Sequence, residues 1–160
     1  GTVSFLYPNN WGAYQLNYNT YFAPSSSAFW VNSDRKTWEQ WRSATGFDRN
    51  SSFTTQPPEG VEVSVQPNRY EPKRGVITIY NWDSQESVIV DISALGLKPG
   101  DPYTLYNAQN FYKDPLTGVY TGDPIRIPMK GWSTALPTGY GELLGDATFP
   151  EFGVFVLAVN

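Results

Sequence analysis

From Val61 onward, short apolar runs alternate with polar punctuation, and this pattern sets the expected elements. Val61-Glu62-Val63-Ser64-Val65 alternates strictly, as a half-buried strand does. Gly75-Val76-Ile77-Thr78-Ile79-Tyr80 is continuous and β-branched, which predicts a strand buried on both faces. After the polar turn Trp82-Asp83-Ser84-Gln85, the run Ser87-Val88-Ile89-Val90-Asp91-Ile92 heads back, so the two runs are expected to pair as a hairpin. Residues 103–106, 118–120, 125–127 and 152–159 read as further strands. The Asp-Pro steps Asp101-Pro102, Asp114-Pro115 and Asp123-Pro124 fall where turns are needed, with Asp capping its own backbone and Pro fixing the next φ. Short strands without intervening helices predict an antiparallel β-sandwich over residues 61–160.

Residues 1–56 follow a different pattern. Gln15-Leu16-Asn17-Tyr18-Asn19-Thr20-Tyr21-Phe22 alternates apolar and amide side chains, and Ala28-Phe29-Trp30-Val31 is a second short strand. Thr37-Trp38-Glu39-Gln40 has the form of a capping box and predicts one short helix. Trp38 and Trp41 then share a helix face, and Gly46 is placed to close the helix in a left-handed cap. Trp30, Trp38, Trp41 and Phe47 are expected to pack this segment onto the sandwich. A polar, Pro-rich break, Thr54-Thr55-Gln56-Pro57-Pro58-Glu59-Gly60, separates the two parts. The fold class expected is all-β, an antiparallel β-sandwich preceded by a short β-rich segment with one helix.

Composition narrows the chemistry. The 160 residues contain no His and no Cys, while 16% are aromatic, with six Trp, eleven Tyr and nine Phe. A Ser-His-Asp triad, a Cys-His pair and a His- or Cys-built zinc site are thereby excluded. Net charge is −4, and the eleven basic residues form no stripe, which argues against a nucleic-acid partner. No apolar run approaches the roughly 20 residues that span a bilayer as a helix, so no membrane partner is expected. Gly1-Thr2-Val3-Ser4 lacks the charged and apolar regions of a signal peptide, and the chain reads as a mature or excised one. Calcium is the one metal that oxygen ligands could hold, at Asp114, Asp123 or Asp146. No EF-hand or repeat signature accompanies them, so each is read as a solvated turn Asp, and the expected cofactor is none.

Several motifs resemble a known family. Asn68-Arg69-Tyr70-Glu71-Pro72, Val76-Ile77-Thr78-Ile79-Tyr80-Asn81-Trp82-Asp83, Gly100-Asp101-Pro102-Tyr103 and Phe152-Gly153-Val154-Phe155 are similar to the C-terminal β-sandwich of secreted bacterial pectate-lyase-like proteins, which are built on a right-handed parallel β-helix. Asn17-Tyr18-Asn19-Thr20-Tyr21-Phe22, Thr37-Trp38-Glu39-Gln40-Trp41 and Gly46-Phe47-Asp48-Arg49-Asn50-Ser51 resemble the closing coils of such a helix. The resemblance implies that residues 1–56 are a remnant of β-helix coils. It also implies a secreted or cell-surface, bacterial, polysaccharide-related setting, with a neighbouring β-helix as partner. The coils that carry the family's substrate groove are missing, so no catalytic residue is transferred.

Sugar rings present apolar CH faces that stack on aromatic planes, and their hydroxyls suit amides and carboxylates. Three places could offer such rings. Trp11 and Tyr14, with Tyr18 and Trp30, lie in or near a turn-like, amide-rich stretch; they could equally plug the end of the N-terminal layer. Tyr80, Trp82 and Asp83, with Asn81, occupy a strand end entering a turn, where binding residues often sit; turn chemistry alone would also explain them. Trp132 and Tyr140 lie in the longest stretch without a strand pattern, as binding rings or as a cover over a sheet face. The acids Asp83 and Glu86, or Glu142 and Asp146, are close in sequence, yet no motif assembles an acid, a base and a stabiliser. The expected function is a non-catalytic, carbohydrate-binding accessory domain. The alternatives are a structural cap on a parallel β-helix and a carboxylate-dependent glycoside hydrolase or lyase.

Overall fold

The computed structural model describes residues 3–5, 10–113, 115–136, 139 and 148–159, with only the backbone of residues 3–5 and 11. Among the described residues it is mostly β, with one α-helix and no closed barrel. The chain divides into two compact units, Gly1–Pro58 and Glu59–Asn160, and the division falls inside the Pro-rich break.

The first unit contains β1 (Val3–Phe5), β2 (Thr20–Phe22), β3 (Phe29–Val31), β4 (Asp34–Lys36), the helix α1 (Trp38–Thr45) and β5 (Ser52–Thr54). Its strand pairing is mainly parallel. β1 pairs with β3, Val3 opposite Phe29, and β2 pairs with β5, Thr20 opposite Ser52. Two successive stretches of chain therefore each lay down two short strands, and each strand of the second pairs with one of the first. β4 adds antiparallel to β3.

The helix starts and stops as its sequence dictates. Thr37 Oγ1 accepts from the Gln40 N–H at 3.3 Å, and Gln40 Oε1 accepts from the Thr37 N–H at 3.0 Å. Gly46, at φ 72°, closes the helix with its N–H on the Arg42 carbonyl. The run read as one strand from Gln15 to Phe22 is extended only over Thr20–Phe22, because Tyr18 turns the backbone to φ 58°.

Within the first unit, Trp38, Trp41 and Phe47 belong to a ring cluster of its own. Trp41 and Phe29 are buried and stacked at 5.4 Å, and Trp38, Tyr21 and Phe53 close around Phe29. Phe47 packs on Trp41 at 6.1 Å. Trp30 points to the other side of β3, where the Arg35 guanidinium lies 5.5 Å from its ring. A segment this small buries its largest rings against one another, with only Leu16, Ala23, Ala28 and Val31 as aliphatic material in the same cluster.

The second unit contains β6 (Val61–Pro67), β7 (Gly75–Asn81), β8 (Ser87–Val90), β9 (Pro102–Asn107), β10 (Leu116–Val119), β11 (Ile125–Pro128) and β12 (Phe152–Ala158). One sheet has the order β10-β9-β12-β7-β6 and the other pairs β11 with β8; all pairings are antiparallel. Ile77, Ile79, Leu105, Phe155 and Leu157 from the first sheet meet Val88, Val90, Ile125 and Ile127 from the second in one core, closed by Ile92, Leu95 and Met129. This is a two-layer, sandwich-like arrangement.

Two expectations fail here. β7 and β8 are not a hairpin: β7 pairs with β6 and β12, while β8 pairs with β11 in the other sheet. The turn after β7 therefore carries the chain from one layer to the other. Nor is β7 buried on both faces. Gly75, Ile77, Ile79 and Asn81 point inward, while Val76 and Tyr80 are exposed. β-branching made Val76 and Thr78 look like interior residues, but they form an outer surface.

Candidate functional site

The outward side of the five-stranded sheet carries several of the accessible rings described in the second unit. Alternation along β7 and β12 sets this, with Ile77, Ile79, Phe155 and Leu157 inward and Tyr80, Phe152, Val154 and Val156 outward. Tyr80 is the direct register partner of Phe152 on one side and Glu62 on the other. Its ring lies 5.1 Å from Phe152 and 5.6 Å from Trp82, with the Tyr80 and Trp82 planes only 16° apart. Tyr80 is 41% exposed and Trp82 38%. The result is a row, Trp82–Tyr80–Phe152, along the end of the sheet.

The turn beneath this row is tightly fixed. The buried Asn81 donates from Nδ2 to the carbonyls of Gln85 (2.9 Å) and Pro150 (2.8 Å), and its Oδ1 accepts from the Gln85 N–H at 3.0 Å. Its backbone N–H donates to the Glu151 carbonyl at 2.7 Å. Asn81 thus ties the segment bearing Trp82 to the segment leading into Phe152. Asp83 Oδ1 accepts from the Gly60 N–H at 2.7 Å, which draws the start of β6 to the same turn.

A second ring group lies farther along the same face. Tyr106 is opposite Val156, and Phe111 stacks on Tyr106 at 4.6 Å with planes 11° apart. Tyr112, edge-on to Phe111, is 95% exposed. Phe152 and Val156 are four residues apart on β12, which separates the two groups by ~13 Å along the strand. Sequence reading missed Tyr106, Phe111 and Tyr112, because a 3-10 turn at Ala108–Asn110 brings Phe111 back over its neighbour. Phe152 could have been found, since the parity of β12 sets it opposite the core residue Phe155.

The other candidates have different surroundings. Trp132 is half-buried against Phe155 (5.3 Å) and Phe149 (6.2 Å), and its Nε1 donates to the Pro128 carbonyl at 2.7 Å, so it covers the core. Tyr140, Glu142, Asp146 and Asp114 lie outside the described residues, as does the side chain of Trp11. Tyr14 is exposed at an open cleft of about 500 Å³ in the first unit, with Asn17, Asp48 and Arg49 among its lining. Glu86 is held by Lys130 at 2.7 Å while Asp83 caps Gly60, so these two acids have separate structural partners. Asp123 accepts from Thr121 Oγ1 at 3.3 Å within its own turn, and the described residues contain no group of three or more acids arranged for a metal ion.

Asp48 is the one buried acid among the described residues. Its carboxylate accepts from Ser51 Oγ (2.7 Å), Asn19 Nδ2 (3.0 Å), Trp41 Nε1 (3.0 Å) and the Tyr21 hydroxyl (3.1 Å). Burial pushes its pKa up, but the four donors outweigh burial and hold it below the usual carboxylate range. Burial, then the Asp48 charge, raise the Tyr21 hydroxyl to about 12. With its acceptors directed at its own chain, Asp48 is a structural node on the floor of the cleft.

No family model, curated protein or solved structure matches the chain.

Proposed function

We propose that the second unit is a carbohydrate-binding accessory module that takes a polysaccharide on the outer face of its five-stranded sheet. The observation that carries this reading is the row Trp82–Tyr80–Phe152, two of its rings nearly parallel and open to solvent. A ring fixed by the fold accepts a sugar face with little loss of side-chain freedom. The hydroxyl of Thr78 on β7, the hydroxyl of Ser64 opposite it on β6 and the amide of Gln66 opposite Val76 share that face and offer hydrogen bonds to sugar hydroxyls. The resemblance to secreted polysaccharide-related proteins points the same way. Calorimetry or affinity electrophoresis against plant and microbial glycans tests the proposal: binding is expected, and silence across a broad panel contradicts it.

A second reading is favoured by the first unit. Its parallel pairs, β1 with β3 and β2 with β5, are the pairing expected of stacked β-helix coils. In this reading the chain is a structural cap for a neighbouring β-helix. Self-association of the isolated chain in sedimentation supports the cap, and a clean monomer counts against it.

A further inference from the structure

The charges around the ring row narrow the class of glycan it would hold. Residues 59–67, 75–87 and 148–158 supply the row and the turn beneath it. Their charged side chains are Glu59, Glu62, Asp83, Glu86 and Glu151, with no Lys or Arg among them. Glu62 stands directly opposite Tyr80 on the outward side, and Asp83 follows Trp82 in the turn. Glu86 is paired with Lys130, whereas Glu59, Glu62, Asp83 and Glu151 have no cationic partner among the described residues. The whole second unit carries twelve acidic and seven basic residues.

Resting on the glycan-binding reading, we infer that this face takes a neutral, hydroxyl-rich polysaccharide and rejects polyuronates and sulfated chains. An ionised carboxylate only accepts hydrogen bonds, which matches the hydroxyl donors of a neutral sugar. A ligand carboxylate or sulfate laid on Tyr80 would come close to Glu62 and Asp83. Directly opposed cross-strand residues have Cβ atoms ~5 Å apart, inside the ~8 Å screening length at physiological salt, so repulsion from Glu62 survives. Like charges juxtaposed across an interface suppress the wrong partner more effectively than they alter affinity for the right one.

The test compares one polymer with and without its charge, polygalacturonate and its full methyl ester, beside a neutral β-glucan and a xylan that show whether any preference comes from the added methyl group. Binding to the intact chain is measured by calorimetry at low and high NaCl. The esterified polymer or a neutral glycan is expected to bind, with polygalacturonate about tenfold or more weaker at low salt and the gap closing as salt rises. In the double variant Glu62→Gln, Asp83→Asn the gap should also narrow; Asn at 83 keeps an acceptor for the Gly60 N–H. Polygalacturonate binding as tightly as its ester overturns the charge selection and leaves glycan binding standing. A gap unchanged in the double variant overturns the assignment to these two acids. Failure of every polymer to bind removes the glycan-binding reading itself.

Discussion

Trp41 and Asp48 are joined by a single hydrogen bond, indole Nε1 to Oδ2 at 3.0 Å, and both side chains are fully buried. The bond links the inner face of α1 to the loop that follows it. Three other donors, from Asn19, Tyr21 and Ser51, converge on the same carboxylate, so one acid organises segments distant in sequence. Asp48→Asn keeps the left-handed backbone (φ 56°), which Asn tolerates, but turns an amide donor toward other donors. The variant should lose about 2–4 kcal/mol of stability in the first unit. Hydrogen exchange of residues 20–54 against denaturant checks this; unchanged protection contradicts the account.

The same node sets a pH dependence. Asp48 has a depressed pKa in the folded chain, so it binds protons more weakly there than when unfolded. Its contribution is present above the ordinary carboxylate range and lost as pH falls through the folded value. Tyr21 has the opposite sign: its stabilisation is present below about 10 and lost as pH rises toward about 12. Protection in residues 20–54, taken relative to intrinsic exchange at each pH, should fall at both extremes, and Asp48→Asn should abolish the acidic step.

Helix α1 depends on its ends. Thr37→Ala removes one half of the capping box and should cost about 1 kcal/mol. Gly46→Ala keeps space for a methyl group but must hold φ 72°, and should cost a similar ~1 kcal/mol. Circular dichroism of α1 cannot be isolated from the β-rich background, so the readout is amide exchange within Trp38–Thr45.

Asn81 is a positioning residue for the ring row. Asn81→Asp replaces the Nδ2 donor with an acceptor facing two carbonyls, those of Gln85 and Pro150. A loss of about 2–3 kcal/mol in the second unit is expected. Glycan affinity should fall together with the Trp82 fluorescence response, although Asn81 itself is buried. A variant that binds normally would show that the turn does not orient Trp82.

The legibility of these features in sequence follows the range of the forces behind them. Thr37, Gln40 and Gly46 act within one turn of helix, so the cap could be read directly. The sandwich class could be read too, because strand length and turn chemistry are local. Pairing could not. Ser87–Val90 follows β7 closely yet pairs with Ile125–Pro128, since burying Val88 and Val90 under Ile77 and Ile79 requires a second layer. Tyr80 and Trp82 were visible as candidates from their strand-end position. The contact with Phe152, 72 positions from Tyr80, and the stack of Phe111 on Tyr106 depend on tertiary register and turn geometry. The fate of Trp38 and Trp41 was likewise hidden, because their partners Phe29 and Phe53 come from strands that sequence does not pair.

The most direct measurement is the binding isotherm of a neutral polysaccharide to the intact chain, beside those of Trp82→Ala and Tyr80→Ala. Saturable binding is expected, weakened about tenfold or more by either substitution with the fold intact by hydrogen exchange. Binding that is indifferent to both rings, or absent from the unaltered chain, would contradict the assignment of this face.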